Sequence, residues 1–318
     1  MGINYISYSG YKLYEKCPFA FWHQYILKTL VSENGLNSLY GSVVGIIFEV
    51  FFRDKLWRAP NLIDTLHSLV EPTLKKVIDE QVSKGRVIDW ADPKAIYPCR
   101  SKLLEDIHDT LPRGLEAIKK NSLMGPRMDA ELKLDSKFGK YVVGGRADFV
   151  IQRVRPFSDL VILDGKGSKH REKYVDGHAL KAGGKVEGTQ LKWYSFLYKE
   201  RYGALPDKLG YLFWKFEGER AIEWVPFTSE EVDDLRELVL TTLKRIDRSE
   251  SRIKEQEGKP QAQDDLRQEL FGTQPGFGCG LCQFNTICED GKKKVRAQQR
   301  DKPKLPSGVE EITLGPDD

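Results

Sequence analysis

The sequence predicts an α/β protein in which helices flank a mixed central β-sheet. Residues 1–125 are dominated by helical periodicity, strand-like and helical segments alternate over residues 126–228, and helical periodicity returns over residues 229–296. A chain of 318 residues with 40% hydrophobic residues can bury a core of ordinary size. We therefore expect one domain over residues 1–296. The polar residues 297–318 include three prolines and are expected to be disordered.

The N-terminal part is predicted to consist of helices. Aromatic and aliphatic residues recur at helical spacing over residues 8–30, with Ser9 as a candidate N-cap and a break expected at Pro18. Residues 39–57 predict a buried helix, and residues 62–124 predict further helices.

Five later segments are rich in β-branched or aromatic residues and are predicted to be strands: 129–138, 141–154, 159–164, 209–216 and 221–227. Helical spacing returns over residues 187–202. Thr228 and Glu231 form a capping box, which predicts the start of a long helix over residues 229–255. Residues 256–276 contain Gln, Pro and Gly and are expected to be irregular.

The composition argues against a membrane protein. No apolar run approaches the roughly 18–20 residues that span a bilayer, and the N-terminus lacks the apolar core of a signal peptide. We expect an intracellular protein with no membrane partner. The net charge of +3 does not by itself indicate nucleic-acid binding. Basic runs at 165–185 and 292–294 could neutralise phosphates, although most such runs are solvated loops.

Four of the five cysteines have the pattern of a metal site. Cys279, Cys282 and Cys288 form a C-x2-C-x5-C cluster, and clustered thiols in a reducing compartment indicate a metal or cluster. Because a closed tetrahedral site needs four thiolates, we predict that Cys17 supplies the fourth. Such a centre would join the two ends of the chain. Cys99 stands alone and is expected to be a small buried side chain without a metal.

A second group of polar residues follows the predicted strands. Asp164 and Lys166 close one strand and, being two residues apart, project to the same side. A carboxylate there can bind a hard divalent cation, and an ammonium can stabilise developing phosphate charge. Asp148 lies on the preceding strand and could converge on the same cation, although a turn aspartate after a glycine pair is the ordinary interpretation of such a position.

Gln190 and Tyr194 lie four residues apart, on one face of the next predicted helix. This amide and phenol could contact a nucleic-acid strand or support Lys166, but they could also be an ordinary amphipathic boundary. Aromatic residues in 187–202 and 209–216 could stack on bases, and core packing is the expected use for most of them.

The ordered combination of these motifs resembles the PD-(D/E)XK nuclease superfamily, specifically its RecB-like branch. The family pattern G-x-x-D, D/E-x-K and Q-x3-Y corresponds here to Gly145 to Asp148, Asp164 to Lys166 and Gln190 to Tyr194. The cysteine spacing and the segment from Tyr14 to Phe19 resemble the iron–sulfur subset, which includes AddB-type and CRISPR-associated RecB-like exonucleases. The resemblance covers roughly residues 5–290.

The resemblance implies a restriction-endonuclease-like core and a metal-dependent DNA exonuclease that acts on ends or single strands. Asp148 and Asp164 would bind Mg²⁺ or Mn²⁺, and Lys166 would stabilise charge. The four cysteines would bind a [4Fe–4S] cluster, with structural Zn²⁺ as the alternative. DNA is the implied partner, together with a possible helicase or recombination protein.

The sequence departs from the RecB-like pattern at one position. The family has G-x3-H-x3-E in an early helix, whereas here Gly45 stands where the His is expected, between Gly41 and Glu49. We assign no histidine to the site. Glu49 could contact the cation directly or through water, or be an ordinary helix glutamate.

The missing histidine motivates a second function, a non-catalytic DNA-binding or assembly module with a nuclease-like fold. The presence of Asp148, Asp164 and Lys166 argues against this alternative, because a module without catalysis has no chemical need for all three.

Overall fold

The computed structural model describes residues 4–29, 35–91, 95–124, 127–153, 157–167, 188–276, 279 and 282–300. The chain forms two compact units. The first unit comprises Met1–Lys12 and Ser32–Leu266, and the second comprises Leu13–Val31 and Arg267–Asp318. The basic run at 165–185 lies outside the described residues from residue 168 onward.

The first unit is built on a mixed sheet, as the sequence predicts. Its strands are β1 (Tyr5–Ser7), β2 (Arg127–Phe138), β3 (Tyr141–Gln152), β4 (Leu160–Lys166), β5 (Lys208–Phe213) and β6 (Ile222–Val225). The order is β1-β3-β4-β5-β6, and β2 pairs with β3 along its length. The β1–β3 and β4–β5 pairs are parallel, and the others are antiparallel.

The helices are α1 (Tyr8–Lys16), α2 (Pro18–Phe21), α3 (Leu36–Arg53), α4 (Leu62–Ser68), α5 (Val70–Ser83), α6 (Arg100–Lys120), α7 (Thr189–Tyr202), α8 (Ser229–Lys254), α9 (Pro260–Leu270) and α10 (Glu289–Arg300). The break at Pro18 and the Thr228–Glu231 capping box are confirmed. The prediction that residues 256–276 are irregular is wrong for Pro260–Leu270, which form α9. Pro260 begins this helix because its fixed φ suits the first turn.

Helices α3 and α6 lie on one face of the sheet, and α4 and α5 pack against them. The apolar side chains of that face include Phe149, Val161 and Leu163, which are buried together with residues of α3 and α6. Trp214 stacks on Phe48 of α3 with ring centroids 4.2 Å apart. Because side chains alternate along a strand, Leu163 on this face places Asp164 on the opposite face.

Helix α7 crosses the sheet from one edge to the other. Gly188, its N-cap, lies against Val225 of β6. Near its other end, Arg201 donates a hydrogen bond to the main-chain oxygen of Lys133 in β2. Between these ends Trp193 donates to the Gly144 oxygen of β3 at 3.1 Å. The middle of α7 therefore lies over the strands that bear the predicted site residues.

The second unit packs the N-terminal cysteine segment against the C-terminal one. Trp22 packs on Phe271 with centroids 4.6 Å apart, and the Phe19 N–H donates to the Gly272 oxygen at 3.2 Å. His23 packs on Phe284 at 5.7 Å. Helix α10 continues to Arg300, so the predicted disordered tail is helical at its first residues, and 301–318 lie outside the described residues.

Among the described helices, none combines the length and apolarity that crossing a bilayer requires.

A buried ion pair joins the end of β3 to the start of β4. The side chains of Arg153 and Asp159 are only 3% and 12% exposed, and Arg153 Nε donates to Asp159 Oδ1 at 2.6 Å. Phe157 stacks on the guanidinium, whose carbon lies 4.0 Å from the ring centroid. Arg153 lowers the pKa of Asp159, and Lys208 contributes less.

We predict that Arg153→Met lowers the free energy of unfolding by about 3 kcal/mol, because it leaves a buried carboxylate without its main partner. Urea unfolding measures this change. The control Lys102→Met removes an ion pair with Glu105 whose side chains are both over half exposed, and we expect at most about 1 kcal/mol there. Equal losses in the two variants would contradict the argument.

Candidate active site

Asp148 and Asp164 lie opposite each other on adjacent strands. The antiparallel register pairs Phe149 with Leu163, and one further step brings Asp148 opposite Asp164, where the paired ladder ends. The Gly165 N–H donates to Asp148 Oδ2 at 2.8 Å. The structure thus brings together the two carboxylates that the sequence predicts to converge.

Burial disfavours the charged forms of both carboxyl groups. Asp164 is 2% exposed, and burial raises its pKa while Lys166 opposes the rise. Burial also raises the pKa of Asp148 well above its ordinary value, and the charge of Asp164 adds to the effect. Asp164 Oδ2 forms an ion pair with Lys166 but accepts no hydrogen bond of ordinary geometry among the described residues.

Lys166 is held by a hydrogen-bonded chain from α7. Its Nζ donates to Gln190 Oε1 at 3.2 Å, and Gln190 Nε2 donates to the Tyr194 hydroxyl at 2.9 Å. Tyr194 is almost fully buried, which raises the pKa of its phenol, so the hydroxyl stays neutral. Because Tyr194 orients the amide, Gln190 presents its oxygen to the ammonium. The four predicted residues Asp164, Lys166, Gln190 and Tyr194 therefore form one connected group.

Glu131 of β2 joins this group, and the sequence reasoning did not identify it. The β2–β3 register pairs Ala130 with Phe149 and Leu132 with Ala147, so Glu131 occupies the position opposite Asp148, where the pairing is interrupted. Its φ of +53° is uncommon for a residue with a side chain and is often found at functional sites. Burial raises the pKa of Glu131, Arg146 lowers it, and Glu49 and Asp164 raise it further.

A sequence signal for Glu131 existed in the hairpin turn. Phe138 pairs with Tyr141, so Gly139 and Lys140 form a two-residue connection, and Gly139 has a φ of +61°. A two-residue turn fixes the register of both strands. Counting back from it places Glu131 opposite Asp148.

Glu49 lies close enough to this group to influence Glu131, but it is engaged elsewhere. Its side chain is 26% exposed and forms an ion pair with Arg53 at 3.2 Å, one turn along α3. A Cβ atom added at Gly45, where the family pattern has His, would meet no neighbouring atom within 4 Å outside its own helix backbone. Among the described residues, Glu49 therefore lies near the carboxylates but pairs with Arg53 instead of contacting them.

The carboxylates suit a hard divalent cation in their chemistry. Glu131, Asp148 and Asp164 offer oxygen ligands of the type that Mg²⁺ and Mn²⁺ prefer, and Asp164 Oδ2 is buried beside the Lys166 ammonium. In this conformation no three His, Cys, Asp or Glu side chains of the described residues converge as a metal site. Lys166 and the Gly165 N–H engage two of the oxygens instead.

The cysteines of the second unit influence one another. Burial raises the pKa of the Cys282 thiol, and Cys17, Cys279 and Cys288 raise it further. Burial is the main cause that raises the pKa of Cys288, and Cys17 raises it further. The Gly291 N–H donates a hydrogen bond to the Cys288 sulfur at 3.2 Å. The four residues are thus neighbours, although among the described residues they are not arranged as a metal site.

Cys99 corrects an expectation. It is exposed rather than buried, because it occupies the N-cap position of α6, where the chain reaches the surface. Its sulfur lies 3.1 Å from the Ser101 hydroxyl, and this hydrogen bond lowers the thiol pKa. It belongs to the first unit, separate from the other four cysteines.

The sequence profile of the PD-(D/E)XK nuclease superfamily matches residues 5–289. The chain belongs to the PD-(D/E)XK nuclease superfamily. Asp148, Asp164 and Lys166 all lie within the matched range.

Two solved structures are similar to this chain at low identity. One is a candidate exonuclease from Eubacterium rectale, with 13% identity, a TM-score of 0.45 and coverage of 78% of this chain and 82% of that one. The protein SSO0001 shows 15% identity, a TM-score of 0.28 and coverage of 79% and 84%. No curated protein matches the chain. The family assignment rests on the profile match alone.

The raised pKa of Asp148 has a consequence for stability. A carboxyl group with a raised pKa in the folded state binds more protons than the unfolded chain, so its contribution to stability falls as pH rises through that range. We predict that Asp148→Asn raises the Tm at pH 8 without added divalent cation. The gain should shrink as the pH falls towards about 4, where the wild-type group is protonated in the folded state and about half protonated in the unfolded chain.

Asp247→Asn provides a control of opposite sign. Its hydrogen bond from Lys140 lowers the pKa of Asp247, so the substitution should lower the Tm at pH 8, with a difference that fades in acid. Thermal unfolding followed by circular dichroism measures both variants. A lower Tm for Asp148→Asn at pH 8 would refute the assignment of a destabilising buried charge.

Proposed function

We propose that this protein is a metal-dependent DNA exonuclease of the RecB-like branch, acting on DNA ends or single strands. One observation carries the proposal. The buried Asp164 and the half-buried Asp148 lie side by side at the end of an antiparallel ladder, beside a lysine that α7 holds in place. Members of the family generally use Mg²⁺ or Mn²⁺.

Asp148 and Asp164 would hold the cation, with Glu131 as a third ligand or as an acceptor for a coordinated water. When bound, such a cation supplies a Lewis acid for the phosphodiester. Without a cation, burial raises the pKa of all three carboxyl groups, so holding them in charged form destabilises the fold. Glu49 would complete the group only after leaving Arg53.

Lys166 would stabilise the negative charge that develops on the phosphate. Its ammonium already lies beside Asp164, and the hydrogen bond to Gln190 restricts where Nζ can point. Because the charge is held in place before the substrate arrives, little reorganisation is needed during the reaction. Tyr194 acts through Gln190, as a positioning residue.

The four clustered cysteines would bind a [4Fe–4S] centre, with structural Zn²⁺ as the alternative. Four thiolates suit either group, and all four residues belong to the second unit. Their role would be structural, because they are distant in sequence from the carboxylates. In the cell, a helicase or recombination protein could deliver the DNA.

We predict that Asp164→Ala and Lys166→Ala each reduce cleavage of end-labelled DNA by at least about 100-fold in Mn²⁺ without loss of folding. Gel assays with single- and double-stranded substrates measure the rates, and circular dichroism verifies the fold. The control Lys140→Ala removes an exposed lysine that pairs with Asp247, and its activity should be unchanged.

Two results would count against this function. Undiminished Mn²⁺-dependent degradation by both variants would remove Asp164 and Lys166 from the active site. DNA binding by the wild type without turnover in either metal would favour the non-catalytic module that Gly45 suggests.

We predict that Cys17→Ala loses the visible absorption and bound iron of the wild type, since it removes one of four ligands. Metal analysis separates the two centres, because a colourless wild type with stoichiometric zinc would indicate Zn²⁺ instead. Cys99→Ala is the matched control and should keep its metal, because Cys99 lies in the other unit. Normal metal content in Cys17→Ala would exclude Cys17 as a ligand.

A further inference from the structure

Helix α7 carries a row of four side chains that begins in the active site and ends on the surface. Gln190, Tyr194, Tyr198 and Tyr202 follow one another at intervals of four residues. Since a helical turn contains 3.6 residues, each step rotates the row slightly around the helix. Tyr194 is 6% exposed and Tyr202 is 49% exposed, so the row turns outward as it leaves the site.

The two outer tyrosines form a pair at the edge of the sheet. The ring centroids of Tyr198 and Tyr202 are 4.5 Å apart, and their planes are tilted by 39°. This end of α7 meets β2 through the hydrogen bond from Arg201 to the Lys133 oxygen. β2 also carries Glu131, so the pair lies at the edge of the sheet that bears the carboxylates.

Cations surround this edge. The Arg201 guanidinium carbon lies 5.4 Å from the centroid of the Tyr202 ring. Lys133 and Arg146 pair across β2 and β3, one strand repeat from Glu131 and Asp148, and their side chains are 72% and 66% exposed. Both cations form ion pairs, Lys133 with Asp135 and Arg146 with Glu131.

Those ion pairs leave the cations available to a stronger anion. Exposed pairs contribute at most about 1 kcal/mol, so a phosphate can replace the carboxylate at little cost. Burial raises the pKa of Tyr198 most, followed by Tyr202 and then by the negative charge of Asp129. Phosphates would avoid the side of the ring pair near Asp129, because both carry negative charge. Arg201 is the cation beside the Tyr202 ring. Gly145 faces α7, so strand alternation places Arg146 and its partner Lys133 on the other face of the sheet at this edge.

We propose that Tyr198 and Tyr202 form a stacking platform for unpaired bases of single-stranded DNA, with Arg201 contacting its phosphates beside the ring and the exposed Lys133 and Arg146 attracting the strand to this edge. An exposed aromatic ring can stack on an unpaired base, whereas the bases of a duplex are already stacked on each other. The inference rests on the proposed nuclease function and specifies its substrate as single strands. The strand would run from the platform along α7 to the carboxylates.

Binding of fluorescent oligo(dT) and of a duplex of equal length tests the platform, by anisotropy without added divalent cation. We expect Tyr202→Ala to weaken oligo(dT) binding by about tenfold, as expected for the loss of one base–aromatic stack. Tyr202→Phe keeps the ring and should bind within about twofold of the wild type. Duplex binding should change by less than about twofold in both variants.

Phe157→Ala is the matched control, because Phe157 is 47% exposed, close to the value for Tyr202, and lies in the segment before β4. Its oligo(dT) binding should equal that of the wild type. The platform is overturned if Tyr202→Ala binds oligo(dT) like the wild type, if it loses single- and double-stranded binding equally, or if the wild type does not bind oligo(dT). Because no cleavage is needed, an inactive wild type that passes this test would refute the nuclease proposal alone.

Discussion

The register between β3 and β4 is the constraint on which the rest of the first unit's polar site depends. With Phe149 paired to Leu163, Asp148 and Asp164 must face each other at the next position. Two carboxylates held together and shielded from water repel each other strongly, because the low dielectric of the interior weakens screening. The surroundings offset that repulsion through the Gly165 N–H on one side and the Lys166 ammonium on the other.

The Gly165 N–H and Lys166 compensate only part of the unfavourable burial of these carboxyl groups, and the remainder bears on function. The pKa values of Glu131, Asp148 and Asp164 are all raised, so the fold retains acidic groups in positions that disfavour their charge. A sheet that served only as a scaffold would be more stable with apolar residues there. The cost is reasonable for a site that binds a divalent cation, which is what the family assignment leads one to expect.

Helix α7 links the chemistry to the surface. Its first half holds the lysine through Gln190 and Tyr194, and its last turn presents Tyr202 at the β2 edge. One rigid element thus connects Lys166 with the proposed stacking platform. A helix suits this purpose better than a loop, since its side chains keep fixed spacing.

The sequence by itself determined the type and order of most elements and named the candidate residues that the structure brings together. These depend on local periodicity, on capping signals such as Thr228 with Glu231, and on motif spacing, all of which are readable over a few residues. Only the tertiary structure decided that Glu131 joins the carboxylates, that Glu49 pairs with Arg53 and that Tyr202 is exposed. Those outcomes depend on strand register and on packing between distant segments, where one residue of shift changes which side chains meet.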